Sequence, residues 1–113
     1  MQGNIPFQFV VDKDTMPADQ YSIQSVGTAE GMTLLFRGED SKTVRLINTH
    51  SVQSTDSAKQ TKLVFKRYGS RYFLSEVWVA GNSAGHQLPK SPREKEIASD
   101  YQPSEVVVLA SLR

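Results

Sequence analysis

The stretch from Lys62 to Gly81, Lys-Leu-Val-Phe-Lys-Arg-Tyr-Gly-Ser-Arg-Tyr-Phe-Leu-Ser-Glu-Val-Trp-Val-Ala-Gly, constrains the fold more than any other part of the chain. It reads as two β-strands joined by a two-residue turn at Gly69-Ser70. A glycine at the first turn position accepts a positive φ without a Cβ clash, so a type II′ or I′ turn matches the right-handed twist of the flanking strands. The turn fixes a register that pairs Tyr68 with Arg71, Arg67 with Tyr72, Phe65 with Leu74 and Leu63 with Glu76. Strict alternation then gives one face to Leu63, Phe65, Arg67, Tyr72, Leu74, Glu76 and Trp78. That face is the more apolar and is taken as the core side. The opposite face, with Val64, Lys66, Tyr68, Arg71, Phe73, Ser75, Val77 and Val79, is mixed and suits partial cover.

Two polar residues fall on the expected core face. Arg67 lies beside the turn, where its stem can rest on Tyr72 while its head reaches water. Glu76 falls among Leu63, Leu74 and Trp78, where a carboxylate is costly unless paired, so a bonded partner, a wet rim or a ligand pocket is expected around it.

The 113 residues suggest one β domain over 1–113, with residues 1–4 as a disordered or appended terminus. A net charge of +1 gives no field that would draw the whole molecule to nucleic acid or anionic lipid. No apolar run approaches the roughly 18 residues of a membrane-spanning helix. The chain has no cysteine, which rules out disulfides, thiol chemistry and thiolate-bound zinc. Residues 1–6 lack the character of a signal peptide.

Alternation of Phe7, Phe9 and Val11 predicts a first strand over 5–11. Residues 12–15 are turn chemistry, and Pro17 fits a further turn. Tyr21, Ile23 and Val26 mark a second strand and 33–37 a third, between Gly31 and Gly38. Residues 43–52 form a fourth, with Val44, Leu46, Asn48, His50 and Val52 on one face. A polar loop spans 53–61, and 81–85 reads as a flexible linker. Ser91, Pro92 and Glu94 make a capping box that starts a helix over about 92–100, with Ile97, Ala98 and Tyr101 as its apolar stripe. Arg93 to Glu96 reads as its solvated face. Residues 104–112 form a last strand, whose unbroken Val106 to Ala110 run predicts burial on both sides. The fold class is all-β and mostly antiparallel: a small barrel or sandwich of six to eight strands, with one short helix near the C-terminus.

Chemistry-bearing patterns are sparse. His50 and His86 are the two histidines, without metal-ligand spacing, so no metal or cofactor is expected. No nucleophile motif accompanies the serines, which leaves a hydrolase built on His50 as an alternative without local support. The basic and aromatic side chains of the hairpin divide between its two faces, so a base-stacking surface is not expected and nucleic acid is not a predicted partner. Lys90 and Arg93 have no structural task in the segment leading into the helix, and they are candidates for an anion or a partner carboxylate. With Arg67, Tyr72, Glu76 and Trp78 they complete the set of expected ligand-binding residues.

Four segments carry a family resemblance: Ile5-Pro-Phe-Gln-Phe-Val-Val11, Met16-Pro-Ala-Asp-Gln-Tyr21, Leu63 through Trp78, and Leu88-Pro-Lys-Ser-Pro-Arg-Glu94. Together they resemble a family of small, uncharacterised, exported acidobacterial proteins that carry a secretion signal upstream of the Ile-Pro-Phe segment. The resemblance implies a periplasmic or extracellular setting, and it implies no activity, cofactor or catalytic residue. The expected function is a non-enzymatic, exported, barrel-like binding module for a small apolar molecule or a partner protein. The alternatives are a self-associating envelope protein and the His50 hydrolase.

Overall fold

The computed structural model describes residues 1–26, 33–53, 60–81 and 84–111. Their strands are β1 (Gln2–Ile5), β2 (Phe9–Val11), β3 (Asp14–Met16), β4 (Asp19–Val26), β5 (Thr33–Gly38), β6 (Val44–Asn48), β7 (His50–Gln53), β8 (Lys62–Tyr68), β9 (Arg71–Trp78), β10 (Ala84–Gln87) and β11 (Ser104–Leu109), with helix α1 (Pro92–Ala98) before the last. One antiparallel sheet runs β1-β4-β5-β6, and the second runs β11-β8-β9-β10-β7. Strand β2 joins the second sheet in parallel beside the start of β9, at Val10 and Phe73, and carries β3 with it. The architecture is a mostly antiparallel, two-sheet sandwich.

Two short devices join the sheets. Gln2 and Ser111 exchange both main-chain hydrogen bonds at 2.8 Å, which sets β1 against the end of β11. On the other side, Thr49 alone separates β6 from β7, so one stretch of chain passes from the first sheet to the second. Rings cross the space between. Phe9 meets Tyr21 and Phe65 edge-on, both at 5.5 Å between centroids, and Phe7 meets Phe65 edge-on at 4.9 Å. Ile5, Val11, Met16, Ile23, Leu34, Phe36, Ile47 and Leu88 fill in around them. Edge-to-face pairs add to the burial term, so this chain of rings clamps one sheet to the other.

The central hairpin forms with the expected turn. Gly69 takes φ 63° and Ser70 does not share the positive φ, which is the type II′ pattern. Tyr68 faces Arg71, Arg67 faces Tyr72 and Phe65 faces Leu74. Beyond that point the register shifts between Val64 and Phe65: Val64 faces Glu76, Leu63 faces Val77 and Lys62 faces Trp78. Ser75 is the extra residue of a bulge, and a bulge reverses the side to which all later side chains point. Val77 therefore enters the core with Leu63, Phe65 and Leu74. Glu76 and Trp78, expected on the core face, stand on the outer face, and the Leu63–Glu76 pair does not form.

Several other expectations are corrected. Residues 5–11 are two strands, not one; Pro6 ends the first, because it has no N–H for a ladder. Residues 2–4, read as part of a disordered terminus, belong to β1 and pair with β4. In β6 the buried residue is Ile47, while Val44 and Leu46 are 51% and 65% exposed. The segment read as a linker contributes β10, which pairs with both β7 and β9. Strand β11 is covered on one side only: Val106 and Val108 pack on the core, while Val107 and Leu109 are 45% and 59% exposed. Gly31 and residues 54–59 of the expected polar loop lie outside the described residues.

The helix begins as the capping pattern predicts: Ser91 is its N-cap and accepts from Glu94 N at 3.1 Å. The Glu94 side chain does not turn back to the cap. It lies 4% exposed and accepts a 2.9 Å hydrogen bond from the Tyr68 hydroxyl. The helix thus docks on the outer face of the hairpin, and Glu94 is no part of a solvated face.

A second buried carboxylate locks the β5–β6 connection. Asp19 accepts from Ser41 N at 2.9 Å, Ser41 Oγ at 2.7 Å, Asp40 N at 3.2 Å and Gln20 N at 2.7 Å. The Ser41 N–H leads in lowering its pKa from 3.8 to about 2, with further help from the Ser41 hydroxyl. The ionised carboxylate therefore stabilises the fold above pH 3.8, and that contribution is lost as pH falls from 3.8 towards 2. Asp19→Asn is expected to lower the melting temperature at neutral pH, with the gap to the parent protein closing as the pH approaches 2 in thermal melts.

At the alkaline end, burial first and Glu94 second push Tyr68 up from 10.0 to about 12. The neutral phenol then favours folding below pH 10, and this is lost as pH rises towards 12. Glu94→Gln keeps an acceptor and removes the charge, so ultraviolet titration of tyrosinate should show Tyr68 ionising at lower pH than in the parent protein.

Packing on the outer face gives a third test. A Cβ on Gly85 would stand 2.7 Å from Trp78 Cδ2 and Cε3, so the indole lies where only glycine leaves room. Gly85→Ala is expected to cost about 1–3 kcal/mol in denaturant unfolding by overpacking.

Candidate functional site

The six residues singled out from sequence do not converge. Arg67 and Tyr72 pair at the turn end of the hairpin: Arg67 Nε donates to Gly69 O at 2.7 Å, and its guanidinium carbon lies 5.7 Å from the Tyr72 ring centroid. Phe7 stacks on Tyr72 at 3.8 Å with planes 12° apart. Both Arg67 and Tyr72 are thereby held as part of the sandwich rim. Glu76 and Trp78 form a separate pair on the outer face, where Trp78 Nε1 donates to Glu76 Oε1 at 2.9 Å. The carboxylate expected in an apolar core has found the indole instead. Lys90 is exposed ahead of α1, apart from the others.

Arg93 and Tyr72 are brought together. They line one groove of about 330 Å³ with Gln8, Phe9, Val10, Thr15, Ser70 and Arg71. The groove runs along the junction of β2 with β9 and ends at the hairpin turn. Its lining holds two guanidinium groups and no carboxylate. Among the described residues the one ion pair is Arg45 Nε to Asp14 Oδ2 at 3.4 Å, so neither Arg71 nor Arg93 is neutralised by a described partner. Their forks remain open to an anion, which guanidinium binds through paired N–H donors. Thr15, Ser70 and Gln8 add neutral hydrogen-bonding groups to the same wall.

Arg71 also borders a second depression of about 340 Å³, lined by Tyr68, Gly69, Ile97 and Tyr101. Tyr68 and Ile97 floor it and Tyr101 stands exposed at its margin. The docking of α1 through Glu94 builds both walls: it sets Ile97 beside Tyr68 and its neighbour Arg93 across from Arg71. A cationic groove and an apolar seat therefore meet at this turn and share Arg71 as their divide.

A third depression, of about 290 Å³ over β4 and β5, carries both Arg37 and Glu39 and so offers balanced charge. The histidines do not form a site. His50 is exposed on β7 opposite Gln87, whereas His86 faces the other side of the same pair, half-buried, with its Nδ1 3.0 Å from Thr49 Oγ1. Burial pushes the His86 pKa down.

Of the six residues singled out from sequence, Tyr72 and Arg93 line this groove; Arg71, Thr15 and Gln8, which also line it, were not among them. Three separate segments deliver the groove, namely β2–β3, the hairpin turn and the first turn of α1, and no local spacing announces such a meeting. Comparison of the chain with protein-family models, with curated proteins and with solved structures finds no match to any of them.

Proposed function

We propose that this chain is a non-enzymatic binding module whose ligand places an acidic group on Arg71 and Arg93 and an adjoining apolar group on Tyr68, Ile97 and Tyr101. The observation that carries the reading is the pair of guanidinium groups in one groove, with no carboxylate in its lining and neither group in an ion pair with a described residue. A partner chain ending in an apolar residue with a free carboxylate supplies both features. The space between the sheets is taken by the ring chain of Tyr21, Phe9, Phe65 and Phe7, so recognition belongs to the outside of the sandwich rather than to a barrel interior. The resemblance to exported proteins supports a periplasmic or extracellular setting for it.

The hydrolase reading has less behind it. Among the described residues no serine or carboxylate is hydrogen-bonded to His50, and a general base needs its nucleophile within such reach.

The test is calorimetric titration with short acylated peptides ending in Leu or Phe, each as the free acid and as the amide. The free acid is expected to bind and the amide to bind at least ~10-fold more weakly, since hydrogen bonds to a charged group contribute about 1.5–3 kcal/mol. Arg71→Gln and Arg93→Gln should each weaken the acid by about tenfold or more and leave the amide unchanged. Added salt should weaken the acid selectively. Equal affinity for acid and amide, or no effect of either arginine variant, would overturn the reading.

A further inference from the structure

We infer that the chain pairs with a second copy of itself along the open edge of β6, extending the four-stranded sheet through a twofold axis. This rests on the first sheet and is independent of the arginine groove.

Strand β6 ends the order β1-β4-β5-β6 and, among the described residues, is hydrogen-bonded to β5 alone. The bond from Gly38 N to Thr43 O at 2.8 Å sets the phase of the ladder. Bonded and non-bonded pairs alternate in an antiparallel pair, so Arg45 and Ile47 bond to β5, and the main-chain groups of Val44, Leu46 and Asn48 point off the edge. The Val44 carbonyl shows this directly, because Arg45 Nη1 reaches round to donate to it at 2.8 Å.

The same residues direct their side chains to the outer face, where Val44 is 51% and Leu46 65% exposed. Leu35, half-buried, faces Leu46 across the ladder and widens the apolar surface. Edges that stay single are blunted by proline, lysine, a bulge or an inward charge. Val44–Asn48 contains no proline or lysine and its register with β5 runs without a shift; its one inward charge, Arg45 opposite buried Phe36, is tied to Asp14.

The occupant follows from charge and register. The one charge on β6, Arg45, is already held by Asp14, so two copies can approach without an unpaired like charge between them. Antiparallel pairing about Leu46 sets Leu46 against Leu46 of the second copy in a bonded pair and sets Val44 against Asn48 on both sides. A twofold interface must be complementary to itself, and this register is. The Arg45 donation to Val44 O gives way to the new ladder.

Native mass spectrometry and sedimentation of the whole chain, over a dilution series to high micromolar, test the inference. A reversible dimer is expected. Leu46→Pro removes the outward N–H that lies at the axis, and Leu46→Lys places a charge there; each should weaken the dimer at least tenfold with circular dichroism unchanged. Val107→Lys, on the exposed side of β11, should leave it intact. In the parent protein, exchange of the Leu46 amide should slow as concentration rises, which needs no variant to fold. A monomer at every concentration, a dimer indifferent to both Leu46 variants, or a Leu46 amide indifferent to concentration would each overturn it.

Discussion

The one-residue bulge at Ser75 decides how the second sheet is used. Up to Leu74 the hairpin obeys strict alternation, and after Ser75 every side chain of β9 changes side. The shift moves Val77 into the core and lifts a carboxylate and an indole out of it. Without the bulge Glu76 would sit unpaired against Leu63, a cost of several kcal/mol for a buried charge. With it, Glu76 accepts from Trp78 and Trp78 lies flat on Gly85. The main-chain carbonyl of Ser75 accepts from Leu88 N at 2.9 Å, which continues the β9–β10 register and ties the chain leading into α1 to the bulge residue. The irregularity that re-aims β9 thus also starts the helix in place.

That placement determines the outer face. Tyr68 and Phe73, expected on a partly covered side, are both buried and meet edge-on at 5.6 Å. Their cover includes the helix, held by the Tyr68–Glu94 hydrogen bond inside an apolar setting, where a satisfied bond is strong and an unsatisfied one costly. Because Glu94 must face inward, Arg93 is carried to the turn side and Ile97, one turn on, to Tyr68. The hairpin is therefore buried on both faces over its middle, and its tip is left as the place where charged side chains can gather. The groove is a by-product of docking geometry: Arg71 flanks a turn, Arg93 follows a capping residue, and neither position is set by anything near it in the chain.

This explains what could be read from the residues and what could not. The Gly69-Ser70 turn, the pairs next to it, β4, β5 and the Ser91 cap rest on local backbone chemistry, and they were legible. The bulge was not: Leu74-Ser75-Glu76 holds no glycine or proline to mark it, and alternation read across it put Glu76 and Trp78 on the wrong face. Strand β10 was missed because Ala84 and Gly85 have low strand propensity, and they are strand because Gln53 and Val52 of β7 pair with them. The Val106 to Ala110 run was read as doubly buried, yet hydrophobicity alone does not say how many layers cover a strand. The groove failed to show for a related reason, since its parts are distant in sequence.

The two seams of the sandwich also account for where its exposed edges fall. Closing β1 against the end of β11 through Gln2 and Ser111 protects that side with two main-chain bonds, and it is secured further by Ala110 N donating to Thr61 O at 2.9 Å. On the other side the chain itself crosses between sheets at Thr49, and a crossing of one residue cannot hydrogen-bond the strands it links to one another. Strands β6 and β7 are thus edges of their respective sheets because they are consecutive. β7 is short and polar, His-Ser-Val-Gln, and its solvent side needs little protection. β6 is regular, exposes Val44 and Leu46 and has Arg45 as its one charge, so the same topology that closes one side of the molecule leaves an edge on the other. Among the described residues no strand lies beyond that edge.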